Sequence, residues 1–309
     1  DGRDRVRLVY NARYTDQVRT YELFLQPDGT TGRPVGVLAD QGNVANLSIG
    51  QPSDVLKPWS MKRGERILSL ADAQAVIDRY KPSILINCIG HTGAHNVDDC
   101  EIDKDKTLFA NTFVPIILAE ACLRNKVKLV HISSGCIFHF DYTGQKPVTE
   151  ELAPDFFDLY YSRSKIYAER ALDIMAKKYK ILTLRIRIPL DNRPHPKNIL
   201  TKLIKYVKVI DLPNSVTYVP DFLRALKHLI KIDAYGTFNV VNKYGLRYPD
   251  LMDVYKKYAP EFNYTVVDYR TLGLVRTNLV LSVKKLEKTG FAVRPIKDVL
   301  EECVKEYVR

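Results

Sequence analysis

The sequence predicts an α/β fold built on a doubly wound parallel sheet, with a smaller substrate lobe toward the C-terminus. Three observations carry that prediction. From about residue 66, short β-branched runs alternate with helix-length stretches, and strands joined by helical crossovers run parallel. Two of the apolar runs end in polar, glycine-containing segments, Asn87-Cys88-Ile89-Gly90 and Ser133-Ser134-Gly135. Sheets of this class bind ligands outside the carboxyl ends of their strands, so the two segments point to one crevice. Beyond Pro189 the rhythm gives way to a Pro-interrupted loop, a basic helix and a polar turn.

Residues 1–60 form an N-terminal segment with an irregular start. Tyr21-Glu22-Leu23-Phe24-Leu25 has strand composition and precedes Gly29, Gly32 and Gly36. Glycines at a tight turn after a strand let backbone N–H groups face a pyrophosphate, so these three are the expected phosphate cradle. A β-hairpin or surface loop through Pro27-Asp28-Gly29 is the alternative. The core is expected over residues 61–189. Its elements are a buried strand Ser83–Ile89, a helix Thr112–Leu123, a strand Lys128–Ser133, a helix Tyr161–Lys178 and a strand Lys180–Arg187. Residues 190–309 form the lobe, from which Gly236–Val241 returns to the sheet. Ile296, Val299, Leu300, Cys303 and Val304 make the apolar stripe of a last helix starting near Pro295.

The 309 residues can bury a sizeable core, and 46% hydrophobic with 27% charged residues is ordinary for a globular chain. A net charge of +11 favours anionic partners. The lysines of the second half are dispersed rather than clustered, as on solvated helix faces, so a nucleotide-bearing small molecule fits better than nucleic acid. Five cysteines without a CxxC pair read as free thiols of a reducing, cytoplasmic compartment. A cleaved targeting segment is left open, because residue 1 is not Met. His91, His95 and Cys100 match no zinc spacing, so no metal is expected. No segment is expected to reach the roughly 20 apolar residues of a membrane helix.

Tyr161 and Lys165 carry the strongest chemical signal. Four residues apart on a helix, they share one face. A nearby ammonium favours phenolate over phenol, which suits proton transfer to a carbonyl oxygen, and Ser134 could hold that oxygen. A solvated helix face is the plain alternative.

With Ser134, Tyr161 and Lys165 after the appropriate strands, the chain resembles an extended short-chain dehydrogenase/reductase, a Rossmann-like fold. Within that group it resembles the nucleotide-rhamnose synthases (bifunctional 3,5-epimerase/4-reductases) and dTDP-4-dehydrorhamnose reductases. The resemblance rests on Asn87–Gly93, Asn96–Glu101, Ser134-Gly135-Cys136-Ile137-Phe138, Thr183–Pro189, Asn198–Lys202 and Leu212–Ser215, and spans roughly residues 66–309. Ser134 stands where the family has Thr.

The resemblance implies an NADPH- or NADH-dependent conversion of a nucleotide-linked 4-keto-6-deoxyglucose into nucleotide-linked L-rhamnose. Tyr161 would protonate the C4 oxygen, Lys165 would support Tyr161 and hold the nicotinamide ribose, and Ser134 would bond the carbonyl. Asn87, Gly90 and Asn111 join Lys165 as implied cofactor residues, and Asn111 is equally read as a satisfied polar group inside a helix. Cys136 and Lys202 match the epimerisation pair, whose alternatives are a small buried hydrophobe and a solvated lysine. Asn198, Arg276 and Asn278 are the implied substrate contacts, a guanidinium fork suiting a diphosphate. No acidic residue stands within Ser48-Ile49-Gly50-Gln51, which leans toward NADPH. Implied partners are the nucleotide sugar and either a second copy in a homodimer or a larger assembly. The competing function is a catalytically inactive accessory or scaffold subunit.

Overall fold

A computed structural model describes residues 67–94, 96–139, 146–273 and 275–309 in full, and four strands among residues 1–50 by their backbone. Those strands are β1 (Asp4–Asn11), β2 (Val18–Leu25), β3 (Val35–Ala39) and β4 (Ala45–Gly50). Helix α1 (Leu70–Tyr80) and strand β5 (Ile84–Cys88) follow. Then come α2 (Lys104–Leu108), a π-helical turn (Phe109–Phe113) and α3 (Val114–Arg124). Strand β6 (Lys128–Ser134), helix α4 (Tyr160–Ala176) and strand β7 (Ile181–Ile186) complete this stretch.

Helix α1 starts where the sequence supplies a capping box. Asp72 N–H donates to Ser69 Oγ at 3.3 Å, and the Asp72 carboxylate accepts the Ser69 N–H at 2.9 Å. The helix stops at Lys81, which takes a left-handed φ of 45°.

The remaining elements are β8 (Pro189–Leu190), α5 (Ile199–Tyr206), β9 (Lys208–Ile210), β10 (Thr217–Tyr218) and α6 (Val219–Lys231). After them come β11 (Gly236–Asn239), α7 (Tyr248–Lys256), β12 (Thr265–Val267), α8 (Lys284–Glu287) and α9 (Lys297–Tyr307). The main sheet has the order β11-β7-β6-β5-β3, with β3, β5 and β6 in parallel register. Separate from it, β1 pairs antiparallel with both β2 and β4. The fold class is therefore the parallel, helix-flanked α/β architecture that the sequence predicts.

The start of the sheet differs from expectation. The sequence puts the first parallel strand at Tyr21–Leu25 and Gly36 in a turn after it. Instead Tyr21–Leu25 lies in antiparallel β2, and the Val-Gly-Val-Leu-Ala run of β3 pairs with the apolar β5. Gly36 sits second in that strand, opposite Leu85, at the end of the sheet away from the ligand-binding carboxyl ends. It cannot form the expected cradle. Gly29 and Gly32 lie outside the described residues.

The chain divides into two compact units. The first comprises Asp1–Ser133, Leu159–Leu184 and Lys227–Thr237, and the second Ser134–Asp158, Arg185–Leu226 and Phe238–Arg309. The segment after β6 belongs to the second unit and the turn before β11 to the first. Within the first unit, Ile77 of α1, Leu85 of β5, Val114, Leu118 and Cys122 of α3, and Leu172 of α4 share one core. The continuous helical stretch Lys104–Arg124 is, by length and composition, apolar enough to cross a membrane, contrary to expectation, yet half of its apolar window is buried within the fold. The second unit has its own core, where the Ile296–Val304 stripe of α9 packs with Leu200 and Leu203 of α5 and Leu251 of α7.

One ion-pair cluster ties the amino ends of β6 and β7 to the turn after α6. Lys128 Nζ donates to Asp233 Oδ1 at 2.7 Å, and Lys180 Nζ donates to Oδ2. Burial raises the Asp233 carboxyl, but the two lysine hydrogen bonds more than reverse that and hold it below the usual range. Its stabilising contribution is thus complete above the unfolded value near ~3.9 and is lost as pH falls through the lower folded value. Asp233→Asn is expected to cost about 1 kcal/mol at neutral pH, a figure already discounted for the exposure of Asp233. Thermal melts at several pH values check this: the gap between variant and wild type should close below about pH 4, and a pH-independent gap would contradict it.

Candidate active site

The candidate residues fall into two groups, one in each unit. In the first unit, Asn87 is the last residue but one of strand β5 and is fully buried. Its Oδ1 accepts the Ile89 N–H at 2.9 Å, and its Nδ2 lies 3.1 Å from His131 Nδ1 on β6. Both ends of the amide are thus engaged within the fold, and the bond to the Ile89 N–H shapes the turn out of the strand.

Asn111 lies in the π-helical turn between α2 and α3, also fully buried. Its Oδ1 accepts the His91 N–H at 2.8 Å, while Nδ2 donates to His91 O at 2.9 Å and to Ser164 Oγ at 3.0 Å. Ser164 in turn donates to the Tyr161 carbonyl at 2.7 Å. One carboxamide thus locks the loop after β5 to the first turns of α4, the helix that carries Tyr161 and Lys165. Such π turns are frequent at functional sites because the extra residue re-aims a side chain.

Lys165 is 4% exposed and Tyr161 8%. The Lys165 ammonium seats against Gly90: a Cβ at that position would stand 3.2 Å from Nζ and 3.3 Å from Asn111 Oδ1. Its charge reaches the neighbouring groups. Burial pushes the Cys88 thiol up to about 12 despite the lysine, and burial with the lysine's help holds His131 well below its ordinary value, hence neutral. Gly90→Ala is expected to displace the ammonium by a few tenths of an ångström and to lower turnover about tenfold while the protein stays folded. Steady-state kinetics beside a melting curve check it, and unchanged turnover would mean that the seat of Lys165 does not matter.

In the second unit, Ser134 closes β6 and is 4% exposed. Its Oγ accepts the Cys136 N–H at 3.0 Å, which leaves the hydroxyl proton for a carbonyl oxygen. Gly135 lies between them, and a Cβ there would stand 2.6 Å from Leu281 Cδ1, so that the leucine side chain would have to shift. Cys136 is half-buried, with its Sγ 3.0 Å from Arg187 Nη1. Sequence reasoning missed Arg187, because the partners that hold it, Asn214 and Thr277, are distant in the chain.

Lys202 is carried by α5. Burial lowers its ammonium below the ordinary lysine value, and the positive charges of Lys197 and Arg276 add to the effect. It is therefore a readier proton donor than a surface lysine. Arg276 is half-buried, and its Nη1 donates to the Val275 carbonyl at 2.7 Å.

Of the expected substrate contacts, Asn198 is filled by internal bonds and Asn278 is engaged through its oxygen. Asn198 is the N-cap of α5: Oδ1 accepts from Leu200 N–H and Asp191 N–H, both at 3.2 Å, while Nδ2 donates to the carbonyls of Asp191 and Arg193 at 2.7 and 2.9 Å. With every donor and acceptor filled, it positions the helix of Lys202 and does not contact substrate through its side chain. Asn278, 5% exposed, accepts from Asn214 Nδ2 at 2.7 Å and is drawn into the support of Arg187. Among the described residues no cluster of three potential metal ligands occurs.

The sequence pattern of the RmlD substrate binding domain matches residues 52–219. The chain is 31% identical over 251 residues to a trifunctional UDP-glucose 4,6-dehydratase/UDP-4-keto-6-deoxy-D-glucose 3,5-epimerase/UDP-4-keto-L-rhamnose-reductase of Arabidopsis thaliana, covering 78% of this chain and 37% of that protein. It thus spans little more than a third of that relative's length. It is also 31% identical over 253 residues to the bifunctional dTDP-4-dehydrorhamnose 3,5-epimerase/dTDP-4-dehydrorhamnose reductase of the same plant, covering 77% of this chain and 82% of the relative. Among solved structures, the dTDP-4-dehydrorhamnose reductase of Bacillus anthracis in complex with NADP superimposes with a TM-score of 0.70 at 21% identity, covering 80% and 89% of the two chains. That likeness concerns the fold.

Proposed function

Because the chain belongs to the RmlD substrate-binding-domain family, we propose that it is a nicotinamide-dependent reductase of the C4 ketone of a nucleotide-linked 4-keto-6-deoxy sugar, and that it inverts C3 and C5 before reduction. The observation that carries this is the seat of Lys165: a buried ammonium, one helical turn after Tyr161, held against Gly90 and Asn111 at the carboxyl end of β5. The absence of a Cβ at Gly90 lets the Lys165 ammonium and Asn111 Oδ1 close on the loop after β5. The corner formed by Lys165, Gly90 and Asn111 would hold the nicotinamide-ribose end of NADPH or NADH. When bound, the cofactor supplies the hydride.

The remaining chemistry comes from side chains. Protons on C3 and C5 are acidified by the C4 ketone. Cys136 as thiolate takes the proton from carbon: the C–H bond breaks, S–H forms, and the electron pair enters an enolate with its charge on the C4 oxygen. The Lys202 ammonium returns a proton to the opposite face, which inverts the centre. Its lowered proton affinity serves this step. In the reduction, Ser134 donates a hydrogen bond to the carbonyl oxygen, Tyr161 O–H gives that oxygen its proton, and Lys165 stabilises the phenolate left behind.

The bifunctional relative, matched over 82% of its length, supports the double activity. A non-catalytic accessory role is favoured by one observation, the placement of Gly36 inside β3. The two are separated by mixing the purified chain with UDP- or dTDP-4-keto-6-deoxyglucose and NADPH or NADH. Loss of reduced-cofactor absorbance that requires the sugar is the expected result. No loss with any of the four combinations would favour the accessory role.

A further inference from the structure

Resting on the epimerase reading of Cys136, we infer that Arg187 is a positioning residue for that cysteine, fixing its sulfur by a hydrogen bond and supplying the positive charge that a thiolate needs. Arg187 is 2% exposed, directly after β7. Asn214 Oδ1 accepts its Nε–H and Nη2–H at 2.9 and 2.7 Å, and the Thr277 carbonyl takes another Nη2–H. The two Nη1 protons are shared among Cys136 Sγ at 3.0 Å, Gly135 O at 3.2 Å and Thr277 Oγ1 at 3.2 Å. Apart from Cys136, each of these acceptors is a neutral amide, carbonyl or hydroxyl oxygen, and among the described residues no carboxylate contacts Arg187.

A buried guanidinium without a counter-ion is costly. Arg185, two residues earlier and equally buried, does have one in reach: it stacks over Phe138 at 5.1 Å, and Glu150 is close enough for the two charges to interact. Among the described residues around Arg187, two groups could take a negative charge, Cys136 and the Tyr248 phenol within electrostatic reach. Burial pushes Tyr248 up to about 12, so it stays neutral. Cys136 is left as the group whose ionisation would balance Arg187. The same bond holds the sulfur in one orientation, as proton removal from carbon demands.

The test is the rate of Cys136 alkylation by iodoacetamide at neutral pH, located by peptide mass spectrometry, in wild type, Arg187→Met, Arg187→Lys and Asn214→Asp. Solvent-deuterium exchange at C3 and C5 of the sugar is measured in parallel. Arg187→Met should slow both by about tenfold or more, since the thiolate is the reactive species. Arg187→Lys should recover a large part by restoring the charge. Asn214→Asp leaves the guanidinium in place but gives it a carboxylate, so alkylation should slow several-fold in a protein that still folds. A purely structural arginine would not respond to that change. Wild-type alkylation in folded Arg187→Met, or in Asn214→Asp should the first variant not fold, overturns the inference. If the wild type shows no carbon exchange, the functional reading fails while alkylation still decides the role of Arg187.

Discussion

Replacing Tyr161 by Phe should abolish reduction of the C4 ketone, with kcat falling by about 10²–10⁴-fold, the range for loss of a positioned general acid. The fold should survive. The change removes one hydroxyl from a side chain that is 8% exposed, and the surrounding bonds that fix α4, from Asn111 to Ser164 and from Ser164 to the Tyr161 carbonyl, involve other groups. KM for the sugar should change less than kcat, since proton donation acts in the transition state. Pre-steady-state and steady-state kinetics with a melting curve give the answer. Turnover equal to wild type would remove Tyr161 from the mechanism.

The second large effect is expected at Cys136. Cys136→Ala should eliminate incorporation of solvent deuterium at C3 and C5 while leaving part of the reductase activity on a nucleotide sugar whose two centres are already inverted. The two activities separate because Ser134 interacts with Cys136 only through the Cys136 backbone N–H, which alanine keeps. NMR of the recovered sugar after incubation in D₂O distinguishes the outcomes. Exchange at the wild-type rate in the variant would assign carbon deprotonation to another base.

Much of the framework is legible in the residues. The runs that form β5, β6 and β7 are short, β-branched and apolar, and each ends within a residue or two of its expected position, because buried parallel strands admit few other uses of such composition. The stripe of α9 was equally readable, for a 3.6-residue period leaves little choice of face. Asn198 could also have been read correctly: an asparagine just before an apolar helical run is a capping signal, and a capping side chain is spoken for.

Other features depend on partners distant in the chain. Whether β2 or β3 borders the parallel sheet is decided by pairing with β5, and both runs have acceptable strand composition. The π turn at Asn111 exists to satisfy His91 and Ser164, 20 and 53 residues away. Arg187 is held by Asn214 and Thr277, 27 and 90 residues away. No local period announces such contacts.

The most direct test of the central claim follows isotopes. NADPH or NADH carrying deuterium at the transferable position is incubated with the purified chain and the nucleotide-linked 4-keto-6-deoxyglucose in ordinary water, and again unlabelled in D₂O. The account requires cofactor deuterium at C4 of the product in the first experiment and solvent deuterium at C3 and C5 in the second. A chain that leaves C4 unlabelled with every cofactor and sugar combination contradicts it.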